Sequence, residues 1–109
     1  MAKDAKKVGD DIPSPVEINK VIHEPARLMI MSYLYVVEEA DFIFIKNQTG
    51  LTWGNVSSHI SKLEDAGYVN VKKKLVGKKT RTLLKLTDEG RSAFREYKRQ
   101  MDEILKYGN

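Results

Sequence analysis

Between Thr52 and Ala66 the chain gathers small side chains that both donate and accept hydrogen bonds. Gly54, Asn55, Ser57, Ser58 and Ser61 follow one another there, with Lys62 beside them. Asn amides and Ser hydroxyls carry donor and acceptor groups at once, which is the chemistry needed to contact base edges or phosphates. Val56, Ile60 and Leu63, spaced four and three apart, make one apolar helical face. With Val56 pointing inward, Gly54, Ser58, Ser61 and Asp65 point outward, flanked by Asn55, Ser57 and Lys62. A merely solvated face favours Glu, Lys, Gln and Ala, whereas Gly, Asn and Ser are weaker helix formers. Small side chains admit a second molecule closely, so this face is expected to contact one. Thr52 caps the helix, and Trp53 either stacks at its entrance or lies on a sugar–phosphate backbone.

A block of positive charge follows at once. No acidic residue falls between Asp65 and Asp88, while Lys72, Lys73, Lys74, Lys78, Lys79, Arg81 and Lys85 all do. An isolated basic run is usually a solvated hairpin. Next to a helix of the kind just described, a polyanion footprint is the better reading. Catalysis finds no support in the same segment. Ser57, Ser58, His59 and Ser61 suggest a nucleophile and base, but adjacent helix positions do not face one another, and no strained nucleophile elbow is visible. Gly77-Lys78-Lys79-Thr80 resembles the end of a phosphate-binding loop, yet position 72 is Lys where Gly is required, and position 79 is Lys where Ser or Thr is required. No enzymatic activity is expected.

The elements that must position these residues can be traced along the chain. Its 109 residues, net charge +4, 41% hydrophobic and 31% charged residues describe one ordinary globular domain. Without Cys, and with only His23 and His59, neither a disulfide nor a metal site is expected, and nothing calls for a cofactor. The N-terminus lacks a secretory pattern, and no run approaches the roughly 20 apolar residues of a membrane span. A cytoplasmic protein without membrane contact is expected. Residues 1–12 read as a mobile tail, and residues 13–109 as the domain.

Ser14-Pro15 predicts a short helix to about Ile22, and Pro25 opens a second over Ala26 to about Val37. That second helix is apolar nearly all round, so it needs cover on more than one side; a second copy of the chain is the natural cover. Asp41 can cap a helix from Phe42 to Thr49, stopped by Gly50. Phe42-Ile43-Phe44-Ile45 also fits a strand. The polar residues that follow favour helix, with Phe42 pairing as a one- or two-residue strand against the hairpin. After Gly67, Tyr68 to Leu75 alternates Val69, Val71 and Leu75 against Asn70, Lys72 and Lys74. Val76 to Lys79 makes the turn, and Thr80 to Leu86 returns with Thr82, Leu84 and Leu86 on one face. The last helix starts at Thr87 and carries a stripe of Phe94, Tyr97, Met101, Ile104 and Leu105, expected to pair with a partner's helix. The fold class is mainly α with a small antiparallel β-hairpin.

Gly50-Leu51-Thr52, Ser57-Ser58-His59-Ile60, Leu63-Glu64-Asp65-Ala66-Gly67-Tyr68-Val69 and Leu86-Thr87-Asp88-Glu89-Gly90 together resemble small archaeal and bacterial winged helix-turn-helix transcriptional regulators related to MarR and ArsR proteins. The likeness reaches back to His23-Glu24-Pro25-Ala26-Arg27-Leu28. It implies a homodimer joined by the first long helix and the terminal helix, bound to double-stranded DNA at a pseudo-palindromic operator and acting as a repressor. It also implies that the Thr52 to Ala66 helix reads the major groove, with Gly54, Asn55, Ser57, Ser58, Ser61 and Lys62 as contacts and Lys78, Lys79 and Arg81 on the wing. Arg81 is the expected residue for a narrow minor groove. His59 matches a His of the ArsR-like motif, where it either packs or touches DNA. ArsR-type metal sensors use Cys or clustered His, which this chain lacks. A small-molecule effector at the dimer interface, beneath Phe42, Phe44 and Tyr33, stays open. The competing reading is a winged helix that binds protein, or serves transcription machinery, without an operator of its own.

Overall fold

Proline has no N–H to lose in a first helical turn, and α1 begins accordingly at Pro25 and runs over Pro25–Val36. A computed structural model describes residues 13–107; the expected tail over 1–12 lies outside them. Six elements follow α1: β1 Ala40–Asp41, α2 Phe42–Thr49, α3 Trp53–Asp65, β2 Val69–Val76, β3 Lys79–Leu86 and α4 Asp88–Tyr107. The strands form one antiparallel sheet in the order β1-β3-β2. The fold is a winged helix, mainly helical with a projecting hairpin, in line with the expectation.

Each helix start has a local chemical cause. Glu24 accepts the Arg27 N–H at the start of α1, and Asp41 accepts the Ile43 N–H at the start of α2. Gly50 takes φ 71° and donates to the Lys46 carbonyl, the left-handed stop that lets α3 start three residues later. Thr52 then caps α3 through the Asn55 N–H. Thr87 closes the series, with its hydroxyl accepting the Gly90 N–H and donating to the Gly67 carbonyl.

The core lies between α1, the inner faces of α2 and α3, the base of the hairpin, and the first half of α4. Ile30, Met31 and Leu34 of α1 meet Ile45, Val56, Ile60, Leu63, Val69, Leu84, Leu86, Phe94 and Tyr97 there. Burying each of Val56, Ile60 and Leu63 contributes on the order of 1.5–3 kcal/mol before chain entropy is counted. Arg91 ties α4 to α1 by donating to the Tyr35 carbonyl while its guanidinium lies over the Tyr35 ring.

Three expectations need correction. No helix forms over Ser14 to Ile22; the segment runs in turns. The Asn19 side-chain oxygen accepts the N–H groups of both Val21 and Ile22, and that alternative partner displaces the helical ladder. The short strand is Ala40–Asp41, paired with Leu84 and Leu83, so Phe42 belongs to α2 instead. Leu75, expected on the half-buried face of β2, is 71% exposed, because the hairpin has left the body by that point. Of the α4 stripe, Phe94 and Tyr97 enter the core, Met101 packs against it and Leu105 is exposed, with Gln100 buried between them. Among the described residues no helix is long and apolar enough to cross a membrane.

Gly90 is the most tightly packed of the described glycines. A Cβ there would run into the Tyr68 backbone, within 3.0 Å of its Cα. Replacing helical Gly by Ala ordinarily stabilises by roughly 1 kcal/mol. Gly90→Ala should instead destabilise by about 1–3 kcal/mol, read as a lowered melting temperature in a thermal scan by circular dichroism.

Candidate nucleic-acid interface

Rotation of α3 follows from its three buried residues. With Val56, Ile60 and Leu63 inside, Trp53, Gly54, Asn55, Ser57, Ser58, Ser61 and Lys62 are all exposed, and so is the Thr52 cap. The structure thus brings the sequence-predicted residues of this helix onto one accessible surface. Gly54 is informative. A Cβ built there meets nothing within 4 Å, so no neighbour in this chain requires glycine. Glycine in a helix costs up to about 1 kcal/mol relative to Ala. A position that gives this up in open space is suited to the close approach of another molecule.

The hairpin stands beside this surface. Val71 and Lys73 of β2 and Thr82 of β3 face Ser57, Ser61 and Glu64 of α3 across a groove floored by Phe42 and Ile60. Lys78 and Lys79 lie at the turn and are exposed. Among the described residues, none of the hairpin lysines pairs with a carboxylate. Their charge is therefore available to an outside anion.

Arg81 differs from them. Its Nη1 donates to Asp41 Oδ2 at 2.7 Å, tying β3 to the start of α2. The expected minor-groove arginine, opposite Lys74 in the outer part of the hairpin, is engaged with the body instead. That hydrogen bond, with help from the Ile43 N–H and the nearby positive charge, holds the Asp41 carboxyl below its ordinary value against the opposing effect of burial.

Trp53 stacks on Phe42, with ring centroids 5.9 Å apart and planes 1° from parallel, and Lys46 Nζ lies 4.8 Å from the Trp53 centroid. Trp53 is 55% exposed even so. It packs at the helix entrance and keeps an open edge. His59 packs as well. Its Nδ1 lies 3.1 Å from Arg27 Nη1 and 3.7 Å from Glu24 Oε1. A guanidinium can only donate, so Nδ1 accepts and the ring is neutral, with its proton on Nε2. The Glu24 contact is then not an ion pair. Arg27 also donates to the Val21 and Lys20 carbonyls and so locks the chain before α1 to the back of α3. Tyr33 and Phe44 meet edge to face at 6.4 Å.

Sequence reasoning missed three of these arrangements: the Glu24–Arg27–His59 cluster, the Phe42–Trp53 stack and the Asp41–Arg81 pair. The one advance signal was the dual nature of Asp41, a cap residue next to an otherwise apolar run. Among the described residues no three His, Asp or Glu side chains gather as a metal site.

The family described as a winged helix DNA-binding domain matches residues 26–105. An uncharacterised protein of Methanocaldococcus jannaschii is 33% identical over 87 residues, spanning 80% of this chain and 95% of its own. The structure of a transcriptional regulator homologue from Pyrococcus horikoshii superposes with a TM-score of 0.78 at 25% identity, covering 98% of each chain. A homodimeric winged helix-turn-helix DNA-binding domain from Mycobacterium bovis, described as a possible ArsR-family regulator, shares the fold. Its TM-score is 0.64 at 20% identity, covering 97% of this chain and 85% of that one.

The Asp41–Arg81 pair makes a prediction about pH. A carboxylate whose pKa is depressed by folding adds stability above its unfolded pKa, near 3.9, and loses it as pH falls through the lower folded value. Asp41→Asn keeps a capping side chain but removes the charge. It should cost less than about 1 kcal/mol near neutrality, as expected for a largely solvated pair. The difference from wild type should shrink below about pH 4 in melting curves recorded across pH.

Proposed function

The chain belongs to the winged helix DNA-binding domain family of transcriptional regulators, and on that premise we propose that it is a sequence-specific double-stranded DNA-binding regulator acting as a homodimer. The observation that carries this reading is the α3 surface: small donor–acceptor side chains, exposed, around a glycine that its own chain does not need. Protein interfaces favour large aromatic and apolar anchors at their centre, and this helix face has none beyond Trp53 at its start.

In the proposed mechanism α3 enters the major groove. Asn55, Ser57 and Ser58 contact base edges, each good contact discriminating by about 1–3 kcal/mol. Ser61 and Lys62 lie further along the same face. Thr52, Trp53 and Gly54 bring the N-terminus of α3 against the backbone, where its free N–H groups favour a phosphate. Lys78 and Lys79, with the lysines of β2, neutralise phosphates and supply affinity without sequence information. Two α3 helices of a dimer would sit about one helical turn, 34–36 Å, apart on a pseudo-palindromic operator. Occupying such a site within a promoter represses transcription.

The dimer would form through α1 and α4. Met29 and Val36 of α1 and Leu105 of α4 are exposed apolar residues that a second copy would cover. The homodimeric state of the Mycobacterium bovis domain supports a dimer. Light scattering on the eluting peak of a sizing column should return twice the 12.5 kDa of one chain.

Fluorescence anisotropy with DNA from upstream of this protein's own gene, against a scrambled duplex and across a salt series, tests the reading. Tighter binding to the native duplex should persist at physiological salt. Ser57→Glu should abolish that preference while leaving the circular dichroism spectrum unchanged. A variant that still distinguishes the two duplexes would remove α3 from the recognition role.

A further inference from the structure

On the flank of α3 away from the hairpin lies an open cleft of about 400 Å³, lined by Lys20, Val21, Arg27, Lys62, Asp65 and Ala66. Such a volume is ordinary for a small-molecule site. Lys62, Asp65 and Ala66, three and four residues apart, share the last turn of α3. Lys20 and Val21 precede α1, and Arg27 stands in its first turn. The cleft shares no residue with the apolar one between α1 and α4, and none of Phe42, Phe44 and Tyr33 lines it.

Arg27 is the anomaly there. It is half-buried, and its guanidinium bonds to the Val21 and Lys20 carbonyls and to neutral His59, none of which carries a negative charge. The Glu24 carboxylate caps α1 at the Arg27 N–H and makes no ion pair with the guanidinium. A charge drawn out of water normally meets an opposite one. Of the five N–H groups on a guanidinium, those three bonds leave one on each terminal nitrogen for an outside oxyanion. Lys20 and Lys62 form no ion pair either among the described residues.

We propose that this cleft binds a small hydroxylated phosphate monoester. Three cations against one carboxylate leave the cleft a net charge of +2. A phosphate monoester carries about −1.5 to −2 at neutral pH, whereas a carboxylate brings only one charge. The phosphate sits among Arg27, Lys20 and Lys62, because Asp65 and the carbonyl end of α3 repel it. Those same groups only accept hydrogen bonds, so the rest of the ligand must donate, as hydroxyls do. A DNA backbone phosphate is a diester with a single charge and no hydroxyl to give. Lys62 also lies on the proposed groove-facing surface, so ligand and duplex compete for it; this consequence alone rests on the DNA-binding reading above.

The test is a titration of the isotope-labelled full chain, without DNA, followed by amide shifts. The probes are glycerol 3-phosphate, inorganic phosphate, and sodium chloride at matched ionic strength. Glycerol 3-phosphate should shift the amides of the cleft residues and saturate, more tightly than inorganic phosphate, and chloride should do neither. Lys20→Ala should weaken this binding about fivefold and Lys20→Arg should restore it. Both keep the Lys20 carbonyl that Arg27 uses, so the melting temperature should not move. Asp65→Asn should tighten inorganic phosphate roughly twofold to fivefold and remove the advantage of glycerol 3-phosphate. Equal shifts with all three probes mean charge screening and overturn the site. Inorganic phosphate binding as tightly as the ester overturns the role of the hydroxyls. Cleft amides that respond to a duplex and to neither phosphate make the cleft a backbone contact and overturn the ligand. With the site filled, duplex binding in anisotropy should weaken for the wild type and not for Lys20→Ala. Unchanged duplex binding overturns the competition and leaves the site standing.

Discussion

Three side chains decide what this protein can present to another molecule. Val56, Ile60 and Leu63 are buried to within a few per cent, and they fix the rotation of α3 about its own axis. A helix turned by one residue would rotate about 100°, from 3.6 residues per turn, and would carry the serines into the core. Everything around α3 reinforces that setting. Gly50 ends the preceding helix sharply, Thr52 starts the new one, and Arg27 clasps His59 from behind. The exposed face is therefore polar by consequence of what lies beneath it, and the same burial that stabilises the core aims the hydrogen-bonding groups outward.

Electrostatics divide the wing into two zones. In one, Arg81 is paired with Asp41, which also caps α2, so a single carboxylate joins strand, helix and hairpin. In the other, the hairpin lysines form no ion pair among the described residues. One zone holds the wing to the body and the other offers charge to the surroundings. A hairpin whose cations were all neutralised internally would be equally rigid and would attract no polyanion.

Periodicity and capping made much of this legible in advance. The bounds of α2, the Thr52 cap, the inward trio of α3 and the hairpin turn all follow from spacing and from residues with strong local preferences. Failures came where a side chain answered to a distant partner. Asn19 could not be recognised as a helix breaker while its partners were unknown: its amide donates to the Tyr68 hydroxyl 49 residues away while its oxygen takes two local N–H groups. Buried Gln100 has the same character, because its place in the core depends on the Glu17 carbonyl. Arg81 looked like a free basic residue until Asp41 was beside it. The surface of α3 was readable because helix geometry alone orients it; the pairing of the wing was not, because it depends on tertiary neighbours.

The turns before α1 are held by residues made much later. Asn19 waits for Tyr68, His23 for the Tyr97 hydroxyl 74 positions on, and Glu17 for Gln100, 83 positions on. Burial raises the pKa of the Tyr97 phenol, so it keeps the proton it can donate to His23. Contacts of such sequence separation form slowly, since a long loop must close before they contribute. At roughly 5–20 residues per second of translation, the Glu17 carbonyl is made about 4–17 s before its partner exists. During synthesis the leading segment can complete these contacts only after the last helix has been made, and Ile22 beside them takes its place in the core with it.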